Sequence, residues 1–420
     1  MGSLLSDGTF LYGMNSFGGT NNDGVVFKIK TDGTGYSKLL DLTGYAVGEG
    51  SLISDGIFLY GMNFHGGISD NGTIFKIKPD GTGYSNLLDF TGANGQNPNG
   101  SLISDGTFLY GMTLYGGVND SGVIFKIKPD GTEYSILLDL DGLTTGRFPP
   151  GSLISDGTYL YGMTSSGGMH DYGTIIKIKP DGTGYSKLLD FAGTANGNSP
   201  IGTLISDGTF LYGMTFAGGI NDNGTIFKIK PDGTGYFKLL DFACAATGGG
   251  AIGDLTFDGT FLYGMTVYCG TTGRGILFKI KPDGSEYSKL LDFNGINGAN
   301  PFGSLISDGA FLYGMTSSGG SNGWGAIFKY SLITGIAENN MENVFNVFPN
   351  PNNGQFTITN EGQQAMTKLE IYNTLGEKIY STNNREQLIY GLDLSNSPKG
   401  MYFVKMYMGE KIYSEKMVIE

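Results

Sequence analysis

The chain is poor in the residues that most often do chemistry. Among 420 residues there are two histidines, two cysteines and one tryptophan, and charged residues make up 15 %. The histidines, His65 and His170, stand far apart, and no His-x-x-x-His or Cys-x-x-Cys spacing occurs, so no metal site is expected from motif. Basic residues are few, 26 against 39 acidic, for a net charge of −13. An acidic chain without a basic cluster lacks the phosphate-neutralising footprint of a nucleic-acid binder and offers nothing to an anionic membrane surface. No run of 18 apolar residues exists, so no membrane-spanning helix is expected.

What the chain has in abundance is glycine (73), tyrosine (25) and phenylalanine (27), a profile of turns and aromatics that suits all-β structure. These residues recur in phrases. Leu-Tyr-Gly-Met begins at Leu11, Leu59, Leu109, Leu160, Leu211, Leu262 and Leu312, defining seven units at spacings of 48 to 51 residues. Within a unit, four stretches of strand length (GSLISDG, TFLYGMT, GTIFKIK, YSKLLDF), here A to D, alternate with turn signals. Asp-Gly pairs starting at Asp7, Asp55, Asp105, Asp156, Asp207, Asp258 and Asp308 join A to B. A second set, Asp32, Asp80, Asp130, Asp181, Asp232 and Asp283, joins C to D in six units only.

Four antiparallel strands per fifty residues match one propeller blade, and a closed ring lets every blade bury its faces on two neighbours. The expected fold is therefore all-β, a seven-unit β-propeller over residues 1–335, in preference to a linear β-solenoid. The phrases GSLISDGTFLYGMTSSGG and GTIFKIKPDGTGYSKLLDF resemble the GloVer tandem repeats of bacterial surface proteins, and their strand grammar is similar to that of quinoprotein-type propellers. That resemblance implies the strand order A, B, C, D and no known activity.

After a polar linker, 336–345, residues 346–420 alternate short strands with Asn-Gly and Pro-Asn turns, as expected of a small Ig-like β-sandwich. Here Phe348-Pro349-Asn350-Pro351, Gly354, Ile371-Tyr372-Asn373, Gly376, Lys399-Gly400-Met401-Tyr402 and Lys416 occur in an order that closely resembles the type A C-terminal sorting domain of the type IX secretion system of Bacteroidota. The resemblance implies export to the outer surface and the secretion machinery as a partner. A type IX client must first cross the inner membrane, yet Met1 opens on strand A with no apolar leader. The last unit also lacks a D stretch. An extension upstream of Met1 is thus expected to supply a signal peptide, and it is a candidate source for a closing strand; as written, blade 7 is expected to be three-stranded or patched by the linker.

No catalytic constellation emerges. Gly319-Gly320-Ser321-Asn322-Gly323 matches Gly-x-Ser-x-Gly but lies between two strands, where a nucleophile elbow needs a strand and then a helix. Asp70, Asp120, Asp171 and Asp222, with Asp23 shifted by one place, recur in Gly-Gly-x-x-Asp-x-Gly; turn-forming hydrogen bonds explain a single carboxylate per loop better than calcium does. The Asp of LLDF (Asp89, Asp190, Asp241, Asp292) reads as structural. Cys244 and Cys269 depart from the repeat in loops on one face, consistent with a disulfide or with two unrelated thiols.

The A–B and C–D turns barely vary, whereas B–C loops change wording and D–A loops change length. Variable loops on a constant scaffold are where recognition usually resides, unless the variation is drift. Phe17, His65, Tyr115, Phe216, Tyr268 and Trp324 there offer rings to a glycan or peptide. The expected function is an exported, cofactor-free binding or adhesion module. The alternative is a secreted propeller hydrolase or lyase acting on polysaccharide.

Overall fold

The computed structural model describes residues 2–43, 50–332, 345–360, 366–374, 376–385, 389–408 and 411–420. Apart from Phe345, the expected linker lies outside these residues. The chain forms two compact units, Met1–Ile333 and Thr334–Glu420. The described strands in both are β-strands paired antiparallel.

In the first unit, six sheets run A-B-C-D in sequence order; the first comprises Leu5–Ser6, Phe10–Asn15, Val25–Lys30 and Ser37–Asp41. Each Leu-Tyr-Gly-Met phrase is strand B, and its glycine has a cross-strand purpose. Gly61 stands opposite Phe75 on strand C, and a Cβ added to Gly61 would lie 2.6 Å from the Phe75 ring. The missing side chain is the space the phenylalanine fills, as for Gly13, Gly111, Gly213 and Gly264. Strand C is buried on both faces, and each seam between blades is packed by Tyr, Met, Ile, Leu and Phe from both sides, for example Tyr60, Met62 and Ile74 against Leu109, Phe125 and Ile127.

Three polar devices repeat at every blade or nearly so. Tyr60 Oη donates to Asp55 Oδ2 at 2.8 Å, while Asp55 Oδ1 also accepts the N–H groups of Ile57 and Phe58. Lys76 passes 4.9 Å from the Phe58 ring centre and donates to the Pro129 carbonyl of the next blade's C–D turn. Near the axis, the serine of GSLISDG forms a belt. The N–H of Ser3 donates to Ser51 Oγ, and the same bond runs from Ser51 to Ser101, Ser101 to Ser152, Ser152 to Thr203, Thr203 to the Asp254 carboxylate, Asp254 to Ser304, and Ser304 back to Ser3. That last bond, with Leu4, Leu11, Val25 and Phe27 packed on Tyr313 and Met315, closes the ring of a seven-bladed propeller.

Blade 7 departs from its neighbours. Ile306–Ser307, Phe311–Ser318 and Ala326–Ser331 form A, B and C, and among the described residues no D strand covers C. Ile327 is accordingly exposed where its counterparts are buried. A short strand of the preceding loop, Ala299–Pro301, pairs with the far end of strand B, where in other blades the same two segments are joined by an isolated bridge.

The second unit is a sandwich of two sheets. Phe345–Phe348, Gln355–Asn360 and Ile389–Asp393 form one; Lys378–Arg385, Met366–Asn373, Gly400–Met408 and Lys411–Ile419 form the other. Phe345, Val347, Phe356, Ile358, Leu369, Ile371, Tyr402, Val404, Met406, Met417 and Ile419 fill the space between them. Asn350, between Pro349 and Pro351, ties its segment to the last strand, donating to Lys416 O at 2.7 Å and accepting from Val418 N at 2.9 Å. Gly354 passes so close to Ser395 that a Cβ would meet its Cα at 2.4 Å. Gly376 turns between two strands with φ +82°, and Lys399 precedes the strand that Gly400 opens.

Candidate ligand-binding cavity

The variable face is built from two loop types that lock onto each other. In the B–C loop of blade 2, Asp70, at φ +55°, accepts the Gly66 N–H at 2.8 Å, and Asp89 at the end of strand D accepts the Ile68 N–H. Asp120, Asp171 and Asp222 close their loops the same way. In blade 1 this bond is made by Asn22, at φ +60°, and not by Asp23, because the left-handed position falls one residue earlier. The D–A loop then pairs with the following blade's B–C loop: Gln96 and Tyr115 exchange both backbone hydrogen bonds, at 2.8 and 3.0 Å.

With backbones held in this way, two repeat positions present side chains inward. One is the residue just after the terminal Asn or Thr of strand B, namely Ser16, Phe64, Leu114, Ser165, Phe216 and Ser317. The other precedes the glycine that stands just before each belt residue (the belt glycine: Gly100, Gly151, Gly202 and Gly303), namely Asn99, Pro150, Ile201 and Phe302. Together with Phe17, Tyr115, Phe148, Ser199 and Trp324 they line a cavity of about 1160 Å³. Among the described residues its lining has no Asp, Glu, Lys, Arg or His. Glu49, which precedes Gly50, lies outside them.

Four of the six candidate rings, Phe17, Tyr115, Phe216 and Trp324, therefore meet at this wall, with Trp324 85 % and Phe17 50 % exposed. The structure does not bring His65 and Tyr268 there. His65 packs edge-on against Phe64 with Nδ1 3.6 Å from an Asp70 oxygen, and Tyr268 packs edge-on against Phe216. Phe64, Leu114, Phe148, Ile201 and Phe302 were not anticipated. For the first two the signal was a one-residue offset in the repeat, since the residue next to Thr or Asn faces the axis.

Cys244 and Cys269 are joined by a disulfide. In neighbouring blades the same two positions are glycines in near contact: a Cβ on Gly116 would lie 2.5 Å from Gly92 O, and one on Gly167 2.2 Å from Gly142 O. Both cysteines retain the positive φ of the glycines they replace, +37° and +70°. Between blades 5 and 6 a covalent bond is thus added to the backbone bond that other seams also make, here from Gly270 N–H to Cys244 O at 3.2 Å. Among the described residues no group of three or more His, Cys, Asp and Glu converges as a metal site would.

Residues 1–210, 153–261 and 197–365 match the model of the Gloeobacter/Verrucomicrobia repeat, and residues 346–420 match that of the secretion system C-terminal sorting domain. No curated protein matches the chain. Solved structures of similar fold include an oligogalacturonate lyase in complex with manganese (TM-score 0.51, 13 % identity, 77 % of this chain and 86 % of that one). An oligogalacturonate lyase from Vibrio parahaemolyticus is similar (0.50, 12 %, 77 % and 87 %), as is a puromycin-hydrolysing peptidase from Mycobacterium tuberculosis (0.53, 12 %, 85 % and 58 %). At such identity the likeness concerns the fold alone.

Proposed function

The chain belongs to the Gloeobacter/Verrucomicrobia repeat family and ends in a sorting domain that marks it for type IX secretion and attachment at the cell surface, and we propose that its ring is a non-catalytic binding module that takes an extracellular ligand into the cavity of the variable face. The observation that carries this reading is the lining: aromatic rings, serines and asparagines converge from several blades, and no charged side chain joins them among the described residues. Concave sites with apolar walls and a few polar groups are the usual form of ligand pockets.

A polysaccharide-cleaving propeller is the competing reading. General acid–base chemistry needs a titratable group within reach of the scissile bond, and the described lining supplies only the Tyr115 phenol. The test is a glycan and protein array probed with the full chain and with Tyr115→Ala and Trp324→Ala. A captured ligand, released by either variant and left uncleaved, is the expected result. Equal capture by all three proteins, or turnover of the ligand, rejects the proposal.

A further inference from the structure

One lining residue breaks a rule that the rest of the ring keeps. In the five described D–A loops, the residue three before the belt glycine has left-handed backbone: Asn97, Phe148, Ser199, Gly250 and Asn300, with φ between +52° and +67°. Hydrogen bonds impose this geometry whatever the residue. The Ser165 N–H donates to Phe148 O just as Leu114 donates to Asn97 O and Phe216 to Ser199 O. Asn, Ser and Gly suit the position; asparagine also bonds locally there, Asn97 Nδ2 reaching Phe64 O at 2.8 Å and Asn300 Nδ2 reaching Val267 O at 3.0 Å. Phenylalanine makes no such bond, and a bulky residue at positive φ is strained. Strain of this kind held in a ligand cavity is a pointer to function.

The Phe148 ring is held on two sides. Tyr115 meets it edge-on at 5.0 Å between centres, and the Arg147 guanidinium lies 5.2 Å away while binding both Asp171 oxygens at 3.0 Å. The serines nearby are equally committed: Ser165 Oγ donates to Phe148 O, Ser317 Oγ to Asn300 O and Ser199 Oγ to Asn198 Oδ1. With their protons used inward, these hydroxyl oxygens keep lone pairs for O–H donors. No cation in the described lining meets a carboxylate or sulfate, and a net charge of −13 repels anions at a distance.

Resting on the binding reading above, we propose that the cavity accepts an uncharged oligosaccharide, one sugar ring stacking on an aromatic face of the Phe148–Tyr115 pair, and that Phe148 is a specificity-determining residue. The serine oxygens accept from sugar hydroxyls, while an aromatic face takes the apolar C–H face of the sugar ring.

The experiment is titration calorimetry of the full chain with cello-, xylo-, manno-, laminari- and maltohexaose and with hexagalacturonate, repeated on Phe148→Asn and Phe148→Trp, with melting temperatures for each protein. At least one neutral hexasaccharide is expected to bind at least tenfold more tightly than hexagalacturonate. Phe148→Asn, which restores the repeat's own residue, is expected to melt at the same or higher temperature and to bind at least tenfold more weakly, while Phe148→Trp keeps binding. Preference for hexagalacturonate overturns the inference and leaves the binding reading standing, as does a Phe148→Asn protein that binds like the parent. Absence of binding to every saccharide overturns the inference, and the array then decides the binding reading separately.

Discussion

The two faces of the ring use the same number of loops in opposite ways. On the face of the A–B and C–D turns, each blade repeats the same Asp–Tyr bond, from Asp7–Tyr12 to Asp308–Tyr313, and the same Lys over an aromatic ring, from Lys28 on Phe10 to Lys329 on Phe311. On the opposite face the backbone bonds also repeat, but the inward side chains run Ser16, Phe64, Leu114, Ser165, Phe216 and Ser317. The difference teaches that the repeat constrains main chain on both faces and side chains on one. The second face is free to individualise its wall because loop-closing residues such as Asp70 and Asp89 already hold the loops in place.

The largest effect should come from filling space that the shared scaffold requires empty. Gly151→Ala puts a Cβ 2.5 Å from Gly202 O at the axis, where only backbone can yield. It should lose more than about 3 kcal/mol, the upper end of ordinary overpacking, by urea denaturation. Gly111→Ala meets the Phe125 ring at 2.6 Å and should lose about 1–3 kcal/mol. Gly162→Ala should lose clearly less, because blade 4 carries Ile176 where the others have Phe, and the nearest atom is 3.1 Å away. Equal losses at Gly111 and Gly162 would break the reading of Leu-Tyr-Gly-Met as a socket.

Next comes the disulfide. Replacing Cys244 and Cys269 together by glycine restores the wording of the other blades, so the ring should fold, with a loss of about 3 kcal/mol expected for a closed loop spanning 25 residues. Reduction of the parent should lower its melting temperature comparably, and an unchanged temperature would mean that the glycine contact suffices.

The Tyr–Asp device sharpens the comparison on the constant face. Tyr161→Phe removes the 2.7 Å bond to Asp156 and should lose about 1–2 kcal/mol. The same device contributes to stability against acid. Burial alone would raise Asp55, Asp105, Asp156, Asp207 and Asp258, but donation from two backbone N–H groups and a tyrosine hydroxyl outweighs it and holds each below the usual carboxylate range. Burial and the same bond push the Tyr12 phenol up to about 12. A lowered folded-state value means that the unfolded chain binds more protons, so this contribution is full above about pH 4 and disappears as pH falls through the lowered values. Acid titration of the melting temperature should show a steep drop below that point, shallower in Tyr161→Phe. The smallest effect on stability belongs to the variable face: Trp324→Ala, at an exposed site, should stay within about 0.5 kcal/mol while weakening binding.

Repetition made most of the ring legible. Seven copies of one phrase marked turn positions and blade number, the resemblance to known repeats implied the strand order, and the paired breaks at Cys244 and Cys269 stood out against glycine elsewhere. What stayed hidden depends on direction and angle. Composition cannot say that the residue after Thr113 faces the axis, so the wording of the loops points to His65 and not to Phe64, and to Tyr268, which only packs edge-on against Phe216. Nor does the text reveal that the serine of GSLISDG accepts from the preceding blade, or that Phe148 stands in left-handed backbone; both follow from loop pairing across blades, which is a tertiary property. Asn22 and Asp23 show the same limit at one-residue scale.

The central claim, that shared residues hold the ring and individual ones bind, is tested most directly by one multiple variant. Phe64→Ser, Tyr115→Ser, Phe148→Asn and Phe216→Ser together return four wall residues to words other blades already use. Calorimetric melting and saccharide titration of that single protein should show a melting temperature close to the parent's and no measurable binding. A collapsed melting temperature, or binding retained at the parent's strength, would contradict the account.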